Sequence, residues 1–171
     1  DAPLTIDLVE KMEYTRAVVR ESLRLKPPVI MVPYKTTKAF PINKDYTVPK
    51  GAMVIPSFWN SLHDPEAYPS PDEFKPERWL EGAGSPAQSH AKNYLVFGSG
   101  PHNCIGKEYA VQHLMAVIGT ASILLDWTHD VTELSEKVMV IATIYPQDGA
   151  RLAFSRRSPP AVGATPQEAA A

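Results

Sequence analysis

Prolines partition this chain. Seventeen of them stand among 171 residues, about twice ordinary usage, and each removes a backbone donor and fixes the backbone in a way that interrupts helices. Long helix is therefore confined to stretches that lack them, and much of the remainder must be turns and short extended segments. Thr5–Leu25 has neither glycine nor proline, is rich in helix formers, and stops at Pro27 and Pro28, which disfavour helical geometry just before them. The pattern predicts helix there, with a break near Met12. Gly106–Asp126 places Tyr109, Leu114, Val117, Ile118 and Leu125 at helical intervals, and its second half is almost wholly apolar, which predicts a buried helix. The apolar run Leu114–Leu125 has twelve residues, short for a bilayer span.

The segments between are read from residue type. Val29–Tyr34, Tyr46–Val48 and Met53–Ile55 are rich in β-branched and aromatic residues and bounded by Pro, Asn, Asp and Gly, so they predict strands of a small sheet. Asn60–Trp79 loses periodicity and mixes prolines with aromatics, which predicts an ordered meander held by side-chain packing. Gly82–Ser89 predicts a mobile loop. Val138–Tyr145 and Arg151–Phe154 predict a terminal hairpin. The Pro/Ala/Gly-rich tail beyond Arg157 has no periodic apolar face and predicts disorder. The expected fold class is α+β, mainly α with small β-sheets, with residues 1–157 as one unit and 158–171 as a disordered tail.

A formal charge of −2 and the absence of a dense Lys/Arg run argue against nucleic acid as a partner. The single cysteine excludes an intrachain disulfide and fits either a reducing compartment or a metal ligand. His90, His113 and His129 show no paired spacing with one another or with Cys104, so a zinc site is not expected. The chain starts at Asp1 without an initiator methionine or an apolar leader, which reads as the middle of something longer.

By default a lone cysteine is a small buried hydrophobe. The surroundings of Cys104 argue otherwise. Phe97–Gly106 holds three glycines and a proline directly before the long apolar helix. Glycines permit tight positive-φ turns, and the positive end of a helix dipole stabilises a thiolate, which can bind ferric haem. Gly106 would let the helix pass close to the flat macrocycle, and backbone N–H groups of the loop could tune the sulfur. Elsewhere, Glu21 and Arg24 stand three apart and can pair on one helix face, which alone is an ordinary solvated ion pair.

The loop resembles the cysteine signature of cytochromes P450 at Phe97, Gly100, Cys104 and Gly106. It departs at His102, where most members carry an arginine that binds a haem propionate; histidine is a weaker, pH-dependent donor. Glu21 and Arg24 are similar to the family's Glu-x-x-Arg motif, and Pro76–Trp79 is similar to its partner in the meander. The resemblance covers nearly all of Asp1–Arg156. Within the family it is to the fungal branch that desaturates sterol side chains, on Val9–Tyr14 through Leu25–Pro28, on Asn60–Pro65, and on Gly100-Pro101-His102.

The resemblance implies an incomplete, C-terminal portion of the family fold, roughly the last third. It implies haem b (iron protoporphyrin IX) as cofactor with Cys104 as iron ligand, and a buried charge network of Glu21, Arg24 and Arg78. Lys35 falls where members often place a basic propionate partner, and His63 lies in a His-Asp-Pro segment near the haem edge. Val29, Ile30 and Val32, with Ile141 and Thr143, correspond to stretches that line the substrate cavity. The implied activity is oxidoreductase chemistry of the monooxygenase type, introducing the C22–C23 double bond of a sterol in ergosterol synthesis. Electrons would come from NADPH–cytochrome P450 reductase docking on the cysteine side, with Lys107 as a contact, at the cytoplasmic face of the endoplasmic reticulum membrane. The anchor would be an N-terminal segment absent from this chain, as is the family's long helix on the opposite haem face. The fragment alone is accordingly expected to be inactive. Two alternatives stand beside this reading: a non-catalytic truncation, and another member of the family such as a sterol 14-demethylase or hydroxylase.

Overall fold

The computed structural model describes residues 4–82, 85–140 and 143–157. The tail expected to be disordered, 158–171, lies outside them. Helices α1 (Ile6–Glu10) and α2 (Glu13–Leu25) replace one continuous helix and part at Met12, as the sequence predicts. Thr5 caps α1 by accepting the Leu8 N–H, and α2 ends just ahead of the proline pair. The buried side of α2 carries Ala17 and Val19 together with two charged residues, Glu21 and Arg24.

The extended segments are shorter than predicted. Strand β1 (Tyr34–Lys35) pairs antiparallel with β4 (Met53–Val54), and β2 (Phe40–Pro41) with β3 (Thr47–Val48). Most of Val29–Tyr34 is not strand, because Pro28 and Pro33 bracket it and lack the N–H a ladder needs. Met31 alone makes a bridge, to Ser57. Helix α3 (Phe58–Leu62) follows, capped by Ser57, and the meander then runs to a single 3-10 turn at Pro76–Trp79.

The loop expected over Gly82–Ser89 is instead partly helical, as α4 (Pro86–Ser89). Ser85 is buried and accepts the Gln88 N–H, and Pro86 occupies the first turn, where its missing N–H costs nothing. Ala87 packs in one buried cluster with Ala17, Ala67, Tyr68 and Trp79. That cluster fixes α4.

Helix α5 (Lys107–Leu124) runs directly into strand β5 (Leu125–His129). It meets α1 and α2 through Met115, fully buried with Val9 and Val19. Gly119 completes that contact, since a Cβ added there would stand 2.9 Å from the Met12 sulfur. The helix is not buried all round, contrary to expectation: Tyr109, Val117, Ile123 and Leu124 are exposed. A helix apolar on every side needs neighbours on every side, and here they cover one.

The terminal strands pair differently from the hairpin predicted. Strand β6 (Val138–Val140) pairs with β7 (Ile144–Pro146) inside the first segment, and β8 (Leu152–Arg156) returns to β5, with Trp127 opposite Phe154. Trp127 and Thr128 favour strand over helix, and this creates a partner for β8 that the helical reading had hidden. Arg157 then closes the end of α5: its backbone N–H donates to Leu124 O at 2.8 Å, Nη1 to Ser122 O at 2.6 Å, and Nε to Asp126 Oδ1 at 2.9 Å. No described helix is long and apolar enough to cross a membrane.

Candidate functional site

The segment before α5 is bent by two glycines. Gly98 has φ +72° and Gly100 φ +66°, a region where a side chain would be strained. Gly98 N–H donates to Leu95 O at 3.0 Å, Asn103 N–H to Gly100 O at 3.0 Å, and Cys104 N–H to Phe97 O at 2.8 Å. The loop thus closes on itself and leaves the Cys104 thiol exposed, three residues ahead of the first residue of α5. A thiolate there lies at the favoured end of the helix dipole.

Cys104 looks onto a cleft of about 530 Å³, lined also by Phe97, Gly98 and His102 from the loop, Ala110 and Leu114 from α5, and Leu23 from α2. Pro28, Val29, Val32, Tyr34, Phe58 and Val96 complete the wall. The lining is apolar except for three side chains, Cys104, His102 and Tyr34. A Cβ added to Gly106 would sit 3.8 Å from Cys104 Sγ, so the glycine keeps the space beside the sulfur free. One sulfur donor, a broad apolar wall and few polar groups fit a flat, mostly apolar group whose metal takes a thiolate ligand.

The platform beneath the loop is a buried charge network. Glu21 and Arg24 are fully buried and Arg78 is 4% exposed. Arg24 Nε and Nη2 donate to the two Glu21 oxygens, each at 2.9 Å, while Arg78 Nε and the Lys75 N–H donate to Oε1, both at 3.0 Å. The remaining guanidinium donors go to backbone carbonyls of Leu62, Pro69, Ser70 and Glu73. Burial pushes the Glu21 carboxyl up, but the hydrogen bonds from Arg24 and Lys75 and the two guanidinium charges outweigh it and hold it below its ordinary value.

Sequence reasoning missed three members of this platform. Trp79 Nε1 donates to Glu21 Oε2 at 2.9 Å. Arg20 lies over the Trp79 ring at 4.2 Å, and Tyr94 meets Trp79 edge-on with its hydroxyl donating to Arg20 O. Trp79 stood in the quoted motif, and its indole N–H was the available signal: a buried tryptophan beside a carboxylate seeks an acceptor. The hydroxyl of Tyr68, under Arg24, is buried with no hydrogen-bond partner among the described residues, and its pKa is pushed up to about 12 by burial.

The other candidates divide. Val29 and Val32 line the cleft, whereas Ile30 turns its carbonyl to Phe58 N–H at 2.9 Å and is not in the lining. Ile144 N–H donates to Pro28 O at 2.9 Å, which brings the start of β7 beside that segment; Thr143 is exposed, and Ile141 lies outside the described residues. Lys35 is exposed on β1, outside the cleft lining, because neighbours on a strand face opposite ways. Tyr34 takes the inward position. His63 also stays out of the lining: its ring stacks on Trp59 at 3.7 Å, Nδ1 lies 3.1 Å from Trp59 O, and Nε2 is buried with no partner among the described residues. Burial first, then the positive charge of Arg24, holds its pKa below the ordinary value. Lys107, half-exposed, has Glu108 within 4.0 Å.

Three comparisons set the chain beside known proteins. The family pattern described as "Cytochrome P450" matches residues 1–148. The chain is 57% identical over 147 residues to the C-22 sterol desaturase of Aspergillus fumigatus, covering 86% of this chain and 28% of that one. It is 52% identical over 156 residues to the C-22 sterol desaturase of Saccharomyces cerevisiae, covering 91% and 29%. Among solved structures, the heme domain of cytochrome P450DA superposes with a TM-score of 0.81 at 26% identity, over 93% of this chain and 34% of that one. The chain therefore spans under a third of the two sterol desaturases and about a third of the solved heme domain, and the partial fold expected from the sequence is what the structure shows.

Proposed function

Because the chain belongs to the cytochrome P450 family, we propose that the cleft at Cys104 is its haem seat and that the activity it serves is sterol side-chain desaturation at C22–C23. The observation that carries this is the exposed Cys104 thiol on a glycine-bent loop facing an apolar cleft. A haem iron held there supplies reductive activation of dioxygen and removal of hydrogen from unactivated carbon.

The protein's own part is binding and orientation. Cys104 donates the thiolate; Phe97 and Leu114 pack the apolar wall beside it; Gly100 shapes the turn and Gly106 leaves room at the sulfur. The network of Glu21, Arg24 and Arg78 holds α2 and the meander as one rigid base. Val29 and Val32 offer an apolar edge to a sterol side chain. Identity above 50% to two C-22 sterol desaturases supports the choice of substrate and of ergosterol synthesis as its setting. Electrons would arrive from NADPH–cytochrome P450 reductase on the cysteine side, past Lys107, at the cytoplasmic face of the endoplasmic reticulum.

The test joins a spectrum to a product. A full-length protein carrying this chain, loaded with haem, is expected to show the thiolate-type carbon-monoxide difference band, and its reconstitution with the reductase and a sterol to yield the C22–C23 alkene. A hydroxylated or 14-demethylated sterol as the sole product would assign the chain to another branch.

A second reading concerns the 171 residues by themselves. With Val117, Ile123 and Leu124 of α5 open to water, this polypeptide alone is a non-catalytic piece. Sterol turnover by it would overturn that reading.

A further inference from the structure

We propose that Trp79 is a protective electron donor to the cleft, linked to it through the Tyr94 and Phe97 rings, and that it spares the cysteine loop when peroxide is consumed without sterol. The inference rests on the haem reading above. Phe97 lines the Cys104 cleft and also a second cavity of about 270 Å³, which it shares with Tyr94 and Arg20. Tyr94 and Phe97 both pack against the buried cluster of Phe58, Leu62 and Val96. Tyr94 then meets Trp79 edge-on, with ring centroids 5.2 Å apart. Trp79 in turn lines an opening of about 230 Å³ beside Arg16, Leu80 and Gln88. Aromatic rings in series thus lead from the cysteine loop to the surface.

Proton chemistry decides which ring gives up the electron. A phenol or indole that loses an electron becomes a strong acid, and its oxidised ring persists only where a base takes the proton. Tyr94 donates its hydroxyl to the Arg20 carbonyl at 3.2 Å, and Tyr68, 5.9 Å from Trp79, has no hydrogen-bond partner among the described residues. Neither has a base. Trp79 does, because its Nε1 stands 2.9 Å from Glu21 Oε2. Arg20, 4.2 Å over the ring, opposes a lasting positive charge on the indole. The electron therefore leaves with the proton, which passes to Glu21, and a neutral indolyl radical remains. Hydrogen peroxide takes two electrons and two solvent protons to become two waters, and each electron is one such pass. A protonated Glu21 strands Arg24 and Arg78, so the state is short-lived. An enediol reductant such as ascorbate, at the opening beside Leu80, returns an electron to the ring and releases its own proton to solvent, while Glu21 returns the indole proton.

The test uses the full-length protein carrying this chain, loaded with haem, mixed with hydrogen peroxide without sterol and rapidly frozen for electron paramagnetic resonance. The unaltered protein is expected to give a tryptophan-type radical, identified by line narrowing with ring-deuterated tryptophan. Trp79→Phe should lose that signal and bleach its haem severalfold faster. Trp79→Tyr should exchange it for a tyrosine-type radical and bleach near the parent rate. An unaltered signal and bleaching rate in Trp79→Phe would overturn the inference. So would a tyrosine-type radical in the unaltered protein, or equally fast bleaching in both variants, which is what a merely structural Trp79 would give. Should Trp79→Phe fail to hold haem, the change of radical identity in Trp79→Tyr decides alone. In all these cases a normal thiolate-type carbon-monoxide band leaves the haem reading standing, whereas its absence from the unaltered protein removes that reading and this inference with it.

Discussion

The indole N–H of Trp79 donates to Glu21 Oε2 at 2.9 Å, joining the end of the meander to the middle of α2. Both side chains are buried, Trp79 to 5% exposure and Glu21 completely. Trp79→Phe keeps an aromatic ring under Arg20 and deletes only this donor. A buried carboxylate that loses one charge-assisted hydrogen bond should destabilise the fold by about 1.5–3 kcal/mol, read as a lowered urea midpoint with an unchanged slope.

The same carboxylate sets an acid limit. Glu21 has its pKa depressed below the ordinary 4.5, so its contribution is complete above that value and is lost as pH falls through the lower folded one. Glu21→Gln is expected to be less stable than the parent at neutral pH, because it strands Arg24 and Arg78, at a cost of about 3–5 kcal/mol. The gap should narrow as the solution is acidified below pH 4.5. A gap that stayed constant in urea titrations from neutral to acid would contradict the depressed value.

Replacing the candidate ligand separates chemistry from fold. Cys104 is exposed and its side chain supports no core cluster, so Cys104→Ser should leave the far-ultraviolet dichroism and unfolding midpoint within about 0.5 kcal/mol. The haem-loaded protein should lose its thiolate-type band and its turnover together.

Two glycines of the loop should fail in different ways. Gly100 has φ +66° and open space where a Cβ would go, so Gly100→Ala carries a backbone penalty of about 1–2 kcal/mol, seen in the unfolding midpoint. Gly106 has φ −86°, which alanine adopts freely. Gly106→Ala should fold normally and instead reduce haem incorporation, because its methyl would stand 3.8 Å from Cys104 Sγ. Equal unfolding midpoints for the two variants would contradict this account.

The uncovered side of α5 predicts self-association. Ile123 is 65% exposed, and the surrounding apolar residues form a patch that water does not favour. In the 171-residue polypeptide, Ile123→Lys should lower binding of a hydrophobic dye and shift the species seen by size-exclusion chromatography toward monomer.

The parts legible in the sequence were those written in short spacings. The helix break at Met12 and the loop before α5 follow from residues whose type allows few alternatives, whereas spacing alone read Glu21 and Arg24 as a solvated pair and only the family resemblance joined Arg78 to them. Features that depend on parity or on distant pairing were not legible. Whether Tyr34 or Lys35 faces inward is a one-residue question that two strand residues cannot answer by pattern. The pairing of β8 with β5 required recognising Asp126–His129 as strand, while the apolar helix ahead of it masked the boundary. At Gly82–Ser89 the signal was present, a serine followed by a proline at a helix start, but glycines on one side gave it the look of a loop.

Arg157 has a consequence for the order in which the site is assembled. Its bonds to Ser122, Leu124 and Asp126 mean that a helix whose front end presents Cys104 is fastened at the rear by a residue synthesised more than thirty positions later. On a ribosome the sulfur emerges well before its helix can be clasped, so a nascent chain halted ahead of Arg157 would carry the ligand on an unsecured stem.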